Sequence, residues 1–389
     1  MKKIVSLLTS LIMIFTLSSM VFADSETKSE AENINPFGEI QAKSAVLMEA
    51  ESGRILYSKE PESALPPASV TKIMTLLLVC EALDSGRFSL EDKVTVSAKA
   101  ASMGGSQVFL KEGESVSVEE LFKSTVIASA NDSAYALAEL VSGSESVFVS
   151  AMNKRAEELG MKQTHFENVT GLDDTTENHL TSALDIAIMS RELIKHETVL
   201  SYSSLWQDTI RNGEFTLTNT NRLVRYYDGC NGLKTGSTDK AGYCISATAK
   251  RDGMQLIAVI MGAQTRDDRN ELAREMLDYG FANYALYSVS EQIVEDAPVF
   301  RGTEDKVTLY SAPFSAVVPK AWIDKIERCY TIEERIEAPI AENDELGFVE
   351  YYLDGELIGK SSVFSKSDID KIGYFGLYLN LLKKMFYVC

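Results

Sequence analysis

The sequence has few of the residues that bind metals or cross-link chains. Its 389 residues include three histidines and five cysteines, and no histidines have the spacing of metal ligands. The cysteines are scattered, without a Cys-x-x-Cys pair, which indicates individual thiols rather than a disulfide scaffold. A pairing of Cys230 with Cys244 stays open at this point. The composition predicts neither a metal site nor any other cofactor.

Positive charge is also scarce. The chain has 38 Lys and Arg and 57 Asp and Glu, which gives a net charge of −19. Such a surface repels phosphate backbones, so the chain is not expected to bind nucleic acid.

Hydrophobic residues make up 45% of the chain, enough for a sizeable core and a second module. The length therefore predicts two folded units.

The first residues resemble an export signal. Lys2 and Lys3 precede an apolar run, Ile4 to Val21, and Val21-Phe22-Ala23 resembles a small-residue cleavage site. This pattern predicts a secretory signal peptide at residues 1–23. The alternative is a retained membrane helix, but the polar, acidic residues 24–37 that follow are typical of a flexible mature N-terminus. We expect the protein to be exported.

Residues 38–287 have the pattern of one α/β (α+β) domain, with strands at both ends and helices between them. The predicted elements are a hairpin at 44–50 and 54–59, a buried helix at 70–83, helical segments between 116 and 193, strands at 242–250 and 254–263, and a helix at 267–287. Terminal strands that meet would form an antiparallel sheet flanked by helices, with a helical lobe beside it.

The last third of the chain changes character. Residues 288–365 contain short alternating runs and an Asp354-Gly355 turn, which predict a small all-β domain that acts as a spacer. Residues 366–389 contain an apolar run too short to span a bilayer, with several aromatics. An amphipathic helix that anchors the protein at the outer face of the cytoplasmic membrane is favoured over a helix that docks on its own protein.

Chemistry is first indicated by Ser69-Val70-Thr71-Lys72. Residues three apart share a helix face, so the Lys72 amine can reach the Ser69 hydroxyl. A lysine desolvated by apolar neighbours has a lowered pKa and can act as a general base. The simpler interpretation is a serine helix cap and a lysine that extends to water. The motif is weak by itself, since Ser25 to Lys28 matches it in the leader.

Two further short motifs follow in order. Ser129-Ala130-Asn131 lies between two helical segments, where a hydroxyl and an amide can point outward. Lys234-Thr235-Gly236 opens the strand-rich segment, where a sheet edge with an ammonium group can bind an extended peptide that ends in a carboxylate. The three motifs together predict a site that none of them predicts alone.

This order of motifs resembles that of the penicillin-recognising serine enzymes. The flanking sequences resemble the low-molecular-weight penicillin-binding proteins, which are D-alanyl-D-alanine carboxypeptidases of serine peptidase family S11. The matching blocks are PASVTKIMT (67–75), GSQVFLKEGE (105–114), SANDSAYALAE (129–139), TGLDDTTENHLTSALDIA (170–187), TNTNRLV (218–224) and GLKTGSTDKAGYCISATA (232–249). The resemblance implies a penicillin-binding/β-lactamase-like transpeptidase fold for the first domain.

The resemblance also implies a role for each motif residue in cleaving peptidoglycan stem peptides that end in D-Ala-D-Ala. Ser69 would be the acylated nucleophile, Lys72 its proton acceptor and Ser129 a proton relay. Substrate would be held by Asn131, Lys234, Thr235, Gly236 and Ser237, with the carboxylate at Lys234 and Thr235 and the N–H groups of Ser69 and Ser237 as the oxyanion hole. A β-lactam would acylate Ser69 and leave slowly.

Three alternative functions use related chemistry or the same fold. A class A β-lactamase would carry Ser-Asp-Asn and a Glu-x-x-Leu-Asn loop, whereas this chain has Ala130 and no such loop. A non-catalytic binding module has no need of a desolvated lysine beside a serine. Endopeptidase action on cross-links is closer chemistry and stays open.

Overall fold

The computed structural model describes residues 36–174, 176–378 and 382. Its strands are β1 Ser44–Glu49, β2 Ile55–Lys59, β3 Lys93–Thr95, β4 Ser115–Ser117, β5 Gln207–Ile210, β6 Phe215–Thr218, β7 Cys230–Thr238, β8 Gly242–Arg251, β9 Met254–Ala263, β10 Tyr284–Val289, β11 Gln292–Phe300, β12 Lys306–Ser311, β13 Phe314–Pro319, β14 Ile326–Ile332, β15 Ile336–Glu337, β16 Glu345–Leu353 and β17 Glu356–Ser365. Its helices are α1 Lys72–Asp84, α2 Ala98–Ala101, α3 Val118–Ile127, α4 Asn131–Ser142, α5 Glu145–Glu158, α6 Ala183–Leu193, α7 Glu197–Ser203, α8 Leu223–Tyr226 and α9 Arg266–Asn283.

An antiparallel sheet of order β2-β1-β9-β8-β7 forms the centre of the first domain. The predicted N-terminal hairpin supplies β1 and β2. Successive side chains of a strand point to opposite faces, and in β1 Val46 and Met48 join one apolar cluster while Ala45 and Leu47 join another. Both faces of the sheet are therefore covered, which explains why β9 is an almost continuous apolar run.

The predicted helical lobe is confirmed as helices α3 to α6. The Ser117 side chain accepts from the Glu120 N–H while the Glu120 carboxylate accepts from the Ser117 N–H, a reciprocal cap that fixes where α3 begins. The apolar helix α1 packs against α4 and α6, as an all-apolar helix must. It begins at Lys72 rather than Val70, because a 3-10 turn, Ala68–Thr71, precedes it.

The helix predicted to run to Tyr287 ends earlier, so that prediction was wrong at its C-terminus. Helix α9 ends at Asn283, and the following residues form β10, which pairs with β13. Tyr284, Leu286 and their neighbours satisfy their backbone groups in this ladder. Tertiary pairing thus overrides a local pattern that is compatible with either structure.

The second domain is all-β, as predicted. It contains a sheet of order β14-β16-β17-β12-β11-β15 and the β10–β13 pair, in which β13 contacts β17. Its core includes Tyr351, fully buried, whose ring stacks on Phe314 at 3.8 Å between centroids. The Arg54 guanidinium of the first domain donates to the carbonyl oxygen of Val317 at 2.6 Å, which joins the two domains.

The cysteines that the structure describes are free. Cys80, Cys230 and Cys244 are buried thiols and Cys329 is exposed, so Cys230 and Cys244 do not pair. Within residues 36–174, 176–378 and 382, no helix is both long and apolar enough to cross a membrane. The predicted signal peptide, the leader up to residue 35 and residues 379–381 and 383–389 of the predicted anchor lie outside the described residues.

Candidate active site

The candidate nucleophile lies in a tight turn against the edge of the sheet. Ser69 belongs to the 3-10 turn that leads into α1, and Ala68 before it has a left-handed φ of 49°. Strand β7 passes close by: a Cβ on Gly236 would lie 2.7 Å from the backbone N of Ser69. Glycine is required here because any side chain would push the turn away from the strand.

Lys72 is fully buried one helical turn after Ser69. Its Nζ donates to the Ser69 hydroxyl at 3.0 Å and to the Thr170 carbonyl oxygen at 2.9 Å. Burial holds the pKa of Lys72 well below its usual value, and the positive charge of Lys234 lowers it further, while Asp132 opposes the shift. A lowered pKa favours the neutral amine, which is a competent base for a hydroxyl 3.0 Å away.

The second motif forms the junction of α3 and α4. Ser129 has a left-handed φ of 62° and is buried, and Asn131 is the first residue of α4. The Asn131 amide donates to the Gly104 carbonyl oxygen at 2.7 Å. Its Oδ1 is buried and has no partner among the residues that the structure describes. A buried acceptor without a donor is costly, which favours a role for this oxygen in binding a ligand N–H.

Asp132 fixes the loop that lies beside Asn131. Its buried carboxylate accepts from the backbone N–H groups of Val108 and Leu110, each at 3.1 Å. The loop that supplies Gly104 and Gly105 is therefore tied to the start of α4. Sequence reasoning did not single out Asp132, although it directly follows the second motif.

The third motif lies on β7, an edge strand of the sheet. The Lys234 Nζ donates to the Ser129 hydroxyl at 2.7 Å and to the Thr235 carbonyl oxygen at 2.9 Å. Burial lowers the pKa of Lys234 to about 7, and the charge of Arg269 contributes. The Thr235 hydroxyl donates to the Thr220 hydroxyl at 2.8 Å, and Ser237 is exposed on the same strand.

A cleft of about 700 Å³ adjoins these groups. Gly104 and Thr170, whose carbonyls bind Asn131 and Lys72, contribute to its wall, and Glu145, Glu167 and Lys99 also line it. Within the described parts of the chain, no group of three or more His, Cys, Asp or Glu has a geometry that could hold a metal ion.

The structure brings several of the motif residues into direct contact. Hydrogen bonds join Ser69 to Lys72 and Ser129 to Lys234, and Gly236 lies beside the Ser69 N–H. Besides Asp132, two charged or polar contributors were not indicated by the sequence: the Thr170 carbonyl and the Arg269 guanidinium. Thr170 lies inside a matched sequence block but contributes only backbone, and Arg269 lies on α9 with no motif around it. A serine hydroxyl beside a buried amine, next to the edge strand of a sheet, is typical of a serine acyl-transfer enzyme.

Comparison with known proteins gives the family. The model of the D-alanyl-D-alanine carboxypeptidase family matches residues 26–265, and that of the C-terminal domain of penicillin-binding protein 5 matches residues 281–371. The D-alanyl-D-alanine carboxypeptidase DacF of Bacillus subtilis is 42% identical over 381 residues, which cover 96% of each chain. The chain belongs to the D-alanyl-D-alanine carboxypeptidase family and is a serine hydrolase of that class.

Solved structures agree with this assignment. Penicillin-binding protein 5 of Haemophilus influenzae aligns with a TM-score of 0.75 at 31% identity and covers 86% of this chain and 98% of its own. The ampicillin-bound form of penicillin-binding protein D2 from Listeria monocytogenes aligns with a TM-score of 0.58 at 31% identity, over 62% of this chain and 98% of its own. The predicted fold class, including the β domain, is confirmed.

Proposed function

We propose that the chain removes the terminal D-alanine from peptidoglycan stem peptides through an acyl-enzyme on Ser69. The observation that carries this proposal is the Lys72–Ser69 pair, a hydroxyl 3.0 Å from a fully buried amine whose pKa burial lowers. The Ser69 Oγ attacks the carbonyl carbon between the two D-alanines while its proton passes to the Lys72 Nζ. An ester bond to Ser69 forms as the peptide C–N bond breaks.

The departing amine needs a proton when the C–N bond breaks. Ser129 is the proposed relay, since it accepts a hydrogen bond from Lys234 at 2.7 Å and so has its own O–H to donate. The proton that Lys72 took from Ser69 replaces the one that Ser129 gives to the amine. D-alanine then leaves the cleft. Water hydrolyses the ester, and the same groups return the proton to Ser69.

The groups that hold the substrate follow from the chemistry of its ends. The unpartnered Asn131 Oδ1 is suited to accept from a substrate amide N–H. The Lys234 ammonium and the Thr235 hydroxyl are suited to the terminal carboxylate, and the buried Arg269 adds positive charge near Lys234. The N–H groups of Ser69 and Ser237 would bind the oxyanion, which Gly236 permits by its close approach to the turn.

The test is to incubate the protein with a pentapeptide that ends in D-Ala-D-Ala and, separately, with a fluorescent penicillin. Because a β-lactam carries a similar carbonyl and carboxylate, we expect both D-alanine release and covalent labelling, each lost in Ser69→Ala. Release at the wild-type rate by Ser69→Ala would refute the nucleophile. Rapid penicillin hydrolysis without peptide cleavage would instead favour a β-lactamase.

We further propose that the protein works outside the cell, on the outer face of the cytoplasmic membrane. Residues 1–23 would direct export and residues 366–389 would anchor the chain, with domain limits at 38–287 and 288–365 as the sequence predicts. In support, Tyr374 is 97% exposed and Phe375 76% exposed, an unusual position for large aromatics on a protein surface in water. Deletion of residues 366–389 should release the protein from membranes and leave peptide cleavage unchanged. If the truncated protein still partitions to membranes, the anchor lies elsewhere.

A further inference from the structure

His179 lies outside the three motifs yet contacts the turn that carries the nucleophile. It is 5% exposed and packs edge-to-face on Phe166. Its Nδ1 accepts from the backbone N–H of Glu167 at 3.0 Å, and its Nε2 lies 2.8 Å from the Thr71 Oγ1. Because Nδ1 must be the acceptor, the proton of the neutral ring is on Nε2, and His179 donates to Thr71.

The Thr71 hydroxyl both accepts and donates a hydrogen bond, which links His179 to the backbone of the turn. It accepts from His179 and donates to the carbonyl oxygen of Ala68 at 2.8 Å. Ala68 has the left-handed φ that strains a residue with a side chain. The loop below leaves the carbonyl little room, since a Cβ on Gly171 would lie 1.8 Å from the Ala68 oxygen. Two hydrogen bonds in series therefore fix the direction of the Ala68 carbonyl.

The Ala68 carbonyl belongs to the same peptide group as the Ser69 N–H. The peptide group is planar and trans, so its C=O and N–H point in opposite directions. A donor that fixes the Ala68 oxygen thereby fixes the direction of the Ser69 N–H. A hydrogen bond accepted by the carbonyl also polarises the amide and makes its N–H a stronger donor.

We propose that His179 is a positioning residue for the reaction, which orients the oxyanion-binding N–H of Ser69 through Thr71 and the Ala68–Ser69 peptide group. This inference rests on the proposed acyl-enzyme function. His179 touches neither the substrate nor the reacting atoms in this arrangement. Its effect belongs to the rate of acylation rather than to the binding of substrate, because an oxyanion exists only in the transition state and the tetrahedral intermediate.

The geometry supplies a matched pair of variants at position 179. In His179→Gln, the amide nitrogen reaches the place of the imidazole Nε2 and can still donate to Thr71. In His179→Asn, the shorter amide can replace only the Nδ1 acceptor for the Glu167 N–H. Both variants leave a polar amide in a buried site, so they disturb the surrounding packing to a similar degree.

Position 71 gives a second, independent pair in case the His179 variants fold poorly. Thr71→Ser keeps the hydroxyl that transmits the hydrogen bond, whereas Thr71→Val keeps the shape and removes it. The measurement is stopped-flow acylation of the full chain in detergent micelles by a chromogenic penicillin, which separates the acylation rate constant from the dissociation constant of the first complex. Rates are normalised to the sites that become labelled at completion, and the thermal midpoint is recorded for each variant.

We expect His179→Asn and Thr71→Val each to lower the acylation rate constant about 10- to 100-fold, within the range for a misplaced oxyanion donor, with less than about a threefold change in the dissociation constant. His179→Gln and Thr71→Ser should keep most of the wild-type rate. The double variant Thr71→Val/His179→Asn should be no slower than the slower single variant, because both changes break one chain of hydrogen bonds.

Equal losses in the Gln and Asn variants, additive losses in the double variant, or a fall in thermal midpoint with no change in the acylation rate constant would each overturn the proposal. A failure of the underlying function is distinct from these results. In that case the wild-type protein itself would not be acylated, whatever residue stands at position 179.

Discussion

The close contact between strand β7 and the nucleophile turn makes Gly236→Ala a sharp test of the site. The new Cβ would lie 2.7 Å from the Ser69 nitrogen, 2.9 Å from the Val70 nitrogen and 3.0 Å from the Pro67 oxygen. Non-bonded atoms settle near about 3.5 Å, so the turn must retreat from the strand by roughly 0.8 Å. All three atoms are backbone, so no side-chain rotation can relieve the contact.

A displacement of this size matters because the strand and the turn each supply one N–H to the proposed oxyanion hole. Misplacement by about 1 Å costs on the order of 100-fold in rate, so we expect acylation by penicillin to slow about 30- to 100-fold, or about 2–3 kcal/mol in the barrier. The assay is the second-order rate constant of labelling by a fluorescent penicillin, with the fold checked by circular dichroism.

Gly373→Ala is the matched control for this prediction. No atom lies within 4 Å of the position its Cβ would occupy, so its acylation rate should equal that of the wild type. If Gly236→Ala is acylated as fast as this control, then the Ser69 N–H and strand β7 do not form the oxyanion site together, and the proposed geometry is wrong.

Two further predictions concern ionisation and thiols. Lys234, with a pKa of about 7, is protonated below that pH, so KM for a peptide that ends in a carboxylate should rise as the pH increases through about 7. This dependence should vanish for a thioester substrate without a carboxylate. A KM that falls over this range would contradict the role of Lys234. In a Cys389→Ser variant, a thiol reagent should quickly label one cysteine of the folded protein, the exposed Cys329, and should label all four remaining cysteines after unfolding. Fast labelling of more than one thiol in the folded protein would contradict the burial of Cys80, Cys230 and Cys244. Burial raises the pKa of Cys230 and Cys244 to about 11 and raises that of Cys80 as well.

Much of the architecture was predictable because local patterns were strong. The N-terminal hairpin, the apolar helix α1 and the helices of the lobe follow from periodicity and from Gly and Pro breaks. The C-terminal limit of α9 was not predictable, since Tyr284 to Tyr287 suits a helix or a strand, and only pairing with β13 decides between them.

The candidate site was partly predictable in the same sense. The apolar neighbours of Lys72 indicate a lowered pKa, and the structure agrees. The sequence did not indicate that the Thr170 carbonyl, 98 residues away, accepts from Lys72. It also did not indicate that Lys234 donates to Ser129 across 105 residues, because no local pattern reports which distant segments meet.

The sequence alone determined the chemistry on offer: a serine three residues before a lysine, a serine and an amide between two helices, and a lysine beside a glycine on a strand. Side-chain type and short-range spacing are local properties, so they can be read directly. Only the tertiary structure decided that the second and third motifs meet at the Ser129–Lys234 hydrogen bond, that both lysines are buried, and that His179 contacts the turn that carries Ser69. Desolvation and long-range hydrogen bonds arise from packing of segments far apart in the chain, and these set the pKa values and directions on which the reaction depends.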